Sequence, residues 1–288
     1  MRATLQFLLK HPLLQGRPLY ALCRFFVWQL RSRIWRRPTV FSWIGPSKLW
    51  LRSGWGGLTG NYYAGLYDFE DMGFLLHFLR PGDLFVDVGA NMGSYMVLAS
   101  AVCGARSVAF EPVPISFERL LANRDLNGLG TLSDCRQRAV GASAGTAAMT
   151  SSLDAMNHVV GGETPGITVQ VVTLDEDLPE TPSLMKIDVE GFESEVLRGA
   201  RRHLSDPRLQ AIIIELNGVG RRYGKSDADI HAYLVAAGFG AYRYSPRSRA
   251  LTALDAPGDA NTLYCRDRTF VEGRLRSGSV FTAAKRSF

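Results

Sequence analysis

The chain has 288 residues, with 33 Lys and Arg against 27 Asp and Glu, a hydrophobic fraction of 46% and five tryptophans. That composition excludes a disordered protein and leaves room for one domain of ~200 residues plus an appendage. The charge is uneven: residues 1–67 hold ten Lys and Arg and no acid, so the remaining 23 bases face 27 acids and the net +6 belongs to the N-terminal arm.

Within the arm, Leu19-Tyr-Ala-Leu-Cys-Arg-Phe-Phe-Val-Trp-Gln-Leu30 is aromatic and apolar, and Arg31-Ser-Arg-Ile-Trp-Arg-Arg37 follows it. A basic helix with Trp and Phe on its apolar side fits an element lying on an anionic membrane surface through residues 17–37. A packing helix that covers the domain fits as well. So does a cleaved mitochondrial presequence, which is also Arg-rich and acid-poor. No apolar run reaches the ~18 residues of a membrane span. No nucleic-acid module accompanies the charge, and none is expected as a partner. Cys23, Cys103, Cys135 and Cys265 are scattered without a C-x-x-C pair and read as buried thiols of a reducing, cytoplasmic compartment. The glycines of Gly54–Gly60 make a joint. The expected division is an arm and lid over 1–79 and a catalytic domain over 80–288.

From residue 84 onward, strand and helix signals alternate, the mark of a doubly wound α/β sheet. Leu84–Val88 reads as a strand, Ser94–Val102 as a helix, Ser107–Phe110 as a strand and Ile115–Leu126 as a helix. A weaker strand falls within Ser133–Val140. Glycines and prolines break up residues 141–172, leaving Ile167–Val172 as a strand. Leu184–Val189 (strand), Glu193–Leu204 (helix), Ala211–Leu216 (strand) and Asp227–Ala237 (helix) follow, and Ala241–Tyr244 and Asn261–Cys265 close the sheet as a late pair.

The most informative segment is Leu84-Phe-Val-Asp-Val-Gly-Ala-Asn-Met-Gly-Ser94, answered by Phe110-Glu-Pro112. A strand runs into a glycine turn and a helix, and an acid closes the next strand ~20 residues on, the spacing of a nucleoside pocket. Gly89 and Gly93 let the backbone turn and approach a ligand, and Glu111 can accept from both ribose hydroxyls. The third glycine of a pyrophosphate-binding G-x-G-x-x-G is missing, and Asp87 puts an anion two residues before the turn. That suits a cationic ligand, S-adenosylmethionine, with its sulfonium and ammonium.

The second informative segment is Leu184-Met-Lys-Ile-Asp-Val-Glu-Gly-Phe-Glu193. Parallel central strands normally read as unbroken apolar runs, yet Lys186, Asp188 and Glu190 alternate here and share one face. Burying three charges is expensive, so they are expected at the carboxyl end of the strand, beside Asp87 across the topological switch point. The bland alternative is a Lys186–Asp188 ion pair with Glu190 capping the next helix.

Taken together, Val86–Tyr95, Phe110–Pro114, Asn123 with Asn127, and Met185–Glu193 resemble the FkbM family of S-adenosylmethionine-dependent methyltransferases over roughly residues 80–245. The resemblance implies a class I methyltransferase fold, Rossmann-like and seven-stranded with the last strand antiparallel, behind a basic helical N-terminal extension. It implies O-methylation of a hydroxyl on a sugar, glycolipid, polyketide or other secondary metabolite. Asp87, Gly89, Asn91 and Gly93 would shape the methionine side, Glu111 would hold the ribose, Arg138–Val140 would run along the adenine, and Asp188 would face the sulfonium or the acceptor. Tyr63, Tyr67 and Glu70 would fold over the cofactor as a lid.

An alcohol must lose its proton as it attacks, so a carboxylate or imidazole is needed as general base. The candidates are Asp188, Glu190 and His158, with Glu215 at the end of the next strand; Asn157-His158 lies where a loop could roof the acceptor. Asp188, Glu190 and Glu215 form an oxygen-only set of the kind that holds Mg²⁺, but no metal is assigned. The rival functions are a non-catalytic nucleoside-binding module and an NAD-binding oxidoreductase, the latter weakened by the incomplete glycine pattern.

Overall fold

The computed structural model describes residues 2–34, 37–150, 158–160, 166–258 and 260–288. The arm begins with two helices, α1 (Arg2–Lys10) and α2 (Pro18–Ile34), followed by a hairpin of β1 (Thr39–Ser42) and β2 (Lys48–Leu51). Next come α3 (Gly56–Ala64) and α4 (Phe69–Phe78), the latter with eight of its ten residues buried.

The sheet core starts at β3 (Leu84–Val88) and continues through α5 (Ser94–Val97), β4 (Arg106–Phe110), α6 (Pro114–Leu126) and β5 (Ser133–Arg136). The helix expected over 94–102 loosens into a π-helical turn at Leu98–Val102. Pro114 opens α6 at its first position, where a missing N–H costs nothing. A small second sheet follows, built from β6 (Ala139–Val140), β7 (Gly145–Met149), β8 (Val159–Val160) and β9 (Ile167–Val172). It occupies the described part of the Gly- and Pro-rich stretch; Asn157 lies outside the described residues.

After α7 (Leu174–Asp177) come β10 (Leu184–Ile187), α8 (Glu193–Arg198), α9 (Arg201–Ser205), β11 (Ala211–Glu215) and α10 (Asp227–Ala236). The single helix expected over 193–204 is two, broken at Gly199-Ala200, where Gly199 packs directly on the backbone of Gly141. The chain ends with β12 (Gly240–Ser245), β13 (Ala250–Leu254), β14 (Asn261–Cys265) and α11 (Arg268–Arg276) ahead of a short terminal hairpin.

The main sheet runs β13-β12-β14-β11-β10-β3-β4-β5. β3, β4, β5, β10 and β11 are parallel, and β14 enters antiparallel between β11 and β12. This is the expected doubly wound order with one strand more than the seven anticipated. The extra strand is β13, an edge hairpin on β12 whose Ala-Leu-Thr-Ala-Leu sequence is mostly exposed and carries little apolar alternation.

Alternate residues of the central strands serve opposite faces. Phe85, Leu184, Ile213 and Leu263 pack with α4 and α11. Val86, Met185, Ile187 and Ile212 pack with α8 and α10. The arm joins this architecture rather than trailing from it: Leu8, Ala21, Phe25 and Trp28 share a cluster with Met92, Met96 and Leu120. Asn123 ties the two parts, accepting from Trp50 N–H at 2.8 Å and donating to the Met92 carbonyl at 2.9 Å.

Candidate active site

The parallel strands end on one side of the sheet, and a cavity of about 880 Å³ opens over their carboxyl ends. Ligands bind there in open α/β sheets. Its floor is the turn after β3. Gly89, Asn91 and Gly93 all adopt positive φ, a region that glycine enters freely and asparagine tolerates. A Cβ on Gly89 would collide with the carbonyl oxygen of Asp188, so the glycine is required by the neighbouring chain as well as by its own φ.

Glu111, at the end of β4, is buried against this turn. Its two carboxylate oxygens accept from the N–H groups of Asn91 and Val113, at 2.9 and 2.8 Å. Each oxygen keeps a second lone pair, so the carboxylate is fixed and still able to accept from a ribose. Burial pushes its pKa up to about 7, with the two backbone bonds opposing. Arg138, Ala139 and Val140 form the adjoining wall, at the position expected for a base.

Asp87 does not itself line the cavity; Val88 and Gly89 do. It is 1% exposed and sits behind them, with neither oxygen in a well-formed hydrogen bond. Burial raises its pKa to about 6, countered by Lys186, whose ammonium lies 4.0 Å away. β10 pairs with β3 in a register that sets Lys186 opposite Asp87. Lys186 is also buried, 2.9 Å from Asp188 and over the Tyr95 ring at 4.8 Å. Gly93 likewise lies off the lining, in the N-cap position before α5.

Beyond β10 the chain turns through Asp188-Val-Glu-Gly191, with Glu190 and Gly191 both at positive φ. A glutamate in that region is strained, and such strain concentrates at functional sites. The turn is held by Glu193, which accepts from the N–H groups of Val189 and Gly191 at 3.2 and 3.0 Å, and the start of α8 has no side-chain cap, from Glu190 or any other residue. Asp188 and Glu190 face the cavity, joined by Glu215 from the end of β11. One carboxylate oxygen from each lies within 4.8 Å of the others. Burial, and then the charge of Asp188, raise the pKa of both Glu190 and Glu215, the latter to about 8. Beside a like charge and out of water, Glu190 and Glu215 hold protons that isolated carboxylates would release.

His158 is not among the side chains lining the cavity; it sits on the β7–β8 hairpin, where its N–H donates to Thr150 at 3.0 Å. Tyr67 and Glu70 do line the cavity, whereas Tyr63 is core, packed on Phe25 with ring centroids 5.7 Å apart. Cys23, read as a buried thiol, is exposed.

Several lining groups carry no motif. Phe7, Lys10 and His11, at the end of α1, line the cavity. Phe7 packs at a tilt on Tyr67, ring centroids 5.0 Å apart, and His11 Nε2 is 3.2 Å from the Tyr67 carbonyl oxygen. Asp68 precedes α4 in the capping position yet makes no cap; its carboxylate accepts instead from Tyr95 Oη at 3.0 Å. Forgoing a cap costs about 1 kcal/mol, which points to a different use for the group. Asp71 accepts from Asn261 at 2.9 Å. Burial raises Asp68 to about 6 and Asp71 to about 7. Asp68-Phe-Glu-Asp71 is the first acidic cluster after 67 acid-free residues, and that abrupt change was the available signal.

Strand order, glycine turn and ribose-position acid together define a Rossmann-like fold of the class I methyltransferase type. Residues 87–241 match the methyltransferase FkbM domain, and the chain belongs to that family. Among curated relatives, the hexuronic acid methyltransferase AglP of Haloferax volcanii is 32% identical, over 50% of this chain and 59% of that protein. The 31-O-demethyl-FK506 methyltransferase FkbM of Streptomyces tacrolimicus is 30% identical, over 59% of this chain and 80% of that one. The match therefore spans little more than half the length of the archaeal relative. Among solved structures, the methyltransferase FkbM of Methylobacillus flagellatus superposes with a TM-score of 0.45 at 16% identity, covering 72% of this chain and 52% of that one. A Streptococcus mutans protein solved with SAH gives 0.44 at 10% identity, over 68% and 96% of the two chains.

The cofactor of this family is S-adenosylmethionine, and the residues present fit it. The glycine cradle leaves the backbone approachable, Glu111 has lone pairs to spare, and the acids behind and beside the turn suit a cation.

Proposed function

We propose that the protein is an S-adenosylmethionine-dependent O-methyltransferase acting on a hydroxyl of a sugar, glycolipid or secondary metabolite. The observation that carries this reading is the gathering of Asp188, Glu190 and Glu215 in one cavity with the Gly89–Glu111 cradle. The hexuronic acid and 31-O-demethyl-FK506 in the relatives' names agree with a hydroxyl-bearing acceptor.

When bound, the cofactor supplies an activated methyl group on a positively charged sulfur. The chain's task is then orientation and proton removal. Glu111 would hold the ribose, the turn after β3 would carry the amino-acid end, and Asp188 would offer negative charge toward the sulfonium or the acceptor. The acceptor hydroxyl enters from the side of Phe7, His11 and Tyr67. As its oxygen attacks in line, the proton passes to the carboxylate group of Glu190 and Glu215, whose raised affinity matches a base working near neutral pH. The products are a methyl ether, a neutral thioether and a protonated glutamate. Asp188 and Glu190 are assigned the contact roles; His158, outside the lining, is assigned none.

The test is transfer of labelled methyl groups to glycan and lipid extracts by wild type and by Asp188→Ala. The reading requires label incorporation by the wild type and its loss in the variant. An Asp188→Ala protein that binds cofactor and retains most activity removes that residue from the mechanism. Binding without transfer to any extract favours the non-catalytic module.

A further inference from the structure

The arm helix α2 has two apolar faces, and only one is used. Ala21, Phe25 and Trp28 are buried against the domain. At 100° per residue, Leu19, Cys23, Phe26, Val27, Leu30 and Ile34 fall within an arc of about 100° on the opposite side. All six are exposed: Leu19 is 80% accessible, Phe26 59%, Leu30 63% and Ile34 64%. A stripe of that width normally faces a core. Leu9 of α1, 50% accessible, and Val40 of β1 add to the same region of sequence, so the large exposed apolar residues concentrate in the arm.

Charge decides what the stripe meets. Residues 17–37 carry Arg17, Arg24, Arg31, Arg33, Arg36 and Arg37 and no acid. Arg31 and Arg33 flank the stripe, one on each side, within about 40° of its edges. A second copy of the chain docked face to face would oppose these arginines to their own symmetry mates, with no acid among residues 1–67 to neutralise them. An anionic lipid surface offers the reverse: headgroup phosphates for the arginines and acyl chains for the stripe.

We infer that the outward face of α2 docks on an anionic membrane surface. No described helix is long and apolar enough to span a bilayer, so the attachment is interfacial. It stands independently of the methyl-transfer reading, although the arm that docks also walls the cavity through Phe7, Lys10 and His11.

The full-length protein is tested by co-sedimentation with phosphatidylcholine–phosphatidylserine vesicles and with phosphatidylcholine vesicles alone. The expected results are retention on the mixed vesicles, weakening as salt rises, and little binding to the neutral ones. Phe26→Ser with Leu30→Glu lies wholly on the exposed side, so its melting temperature and S-adenosylhomocysteine binding should match wild type. Its partition onto mixed vesicles should fall by about tenfold or more. Equal binding to both vesicle types, or undiminished binding by the variant, overturns the inference. So does a dimer in analytical ultracentrifugation that Leu30→Glu dissociates, with no vesicle binding by either protein; the occupant is then a second copy.

Discussion

Lys186→Met removes the only ammonium within ion-pair reach of Asp87 and Asp188 among the described residues, at 4.0 and 2.9 Å. Methionine keeps much of the volume and the apolar stem, so the change is chiefly electrostatic. Breaking a buried ion pair by deleting one partner costs about 3–5 kcal/mol, because the remaining charge is stranded. The pH dependence has a definite sign. Burial holds Asp87 at about 6 in the fold, against an ordinary 3.8, even with Lys186 present. Its proton is therefore bound more tightly folded than unfolded. The contribution to stability is full below pH ~4 and is lost as pH rises through ~6, a difference of about 3 kcal/mol. Without the lysine the folded pKa rises further and the window extends upward. Urea denaturation of wild type and variant at pH 5 and pH 8 should give a penalty of about 3–5 kcal/mol at the higher pH, shrinking to about 1–2 kcal/mol at the lower, where Asp87 is protonated in the variant fold. An equal penalty at both pH values would refute the claim that Lys186 neutralises buried carboxylates.

Gly89→Ala forces a Cβ into the Asp188 carbonyl at a positive φ; S-adenosylhomocysteine affinity should drop at least tenfold by calorimetry, and unchanged affinity would mean the turn is not the cofactor cradle. The logarithm of kcat/KM should rise with pH along a limb ending near 8, as Glu215 loses its proton, and Glu215→Gln should abolish that limb; a flat wild-type profile would discard the carboxylate base. Phe25→Ala, buried between arm and domain, should lower stability by about 3–5 kcal/mol in thermal denaturation. Its neighbour Phe26→Ala, 59% exposed, should change stability by under about 0.5 kcal/mol. Equal effects of the two would mean the arm is not docked as described.

The sheet core was legible because its strands carry unmistakable signatures. Val-Asp-Val-Gly-Ala-Asn-Met-Gly sits at a strand end where glycine is required twice over, and Lys-Ile-Asp-Val-Glu-Gly alternates charge through a buried strand. Register then brings Asp87, Lys186 and Asp188 together, as their common face implied. What the sequence concealed is long-range. Phe7, Lys10 and His11 lie more than 70 residues before the first core strand, and nothing local marks an arm helix as a cavity wall. Asp68 looks like an ordinary helix cap; only its bond to Tyr95 reveals another use. The Trp and Phe of α2 were assigned to one apolar side, but adjacent residues point apart on a helix. Phe25 and Trp28 therefore face the domain while Phe26 faces outward. His158 attracted notice as a lone imidazole in a loop; it precedes the strand paired with β7 and is not among the side chains that line the cavity.

The central claim is that the turn after β3 and Glu111 hold S-adenosylmethionine. Calorimetric titration of the full-length protein with S-adenosylhomocysteine, with NAD⁺ run in parallel, tests it most directly. The account predicts micromolar binding of S-adenosylhomocysteine, lost in Glu111→Ala, and no heat from NAD⁺. Binding of NAD⁺, or of neither ligand, would contradict it.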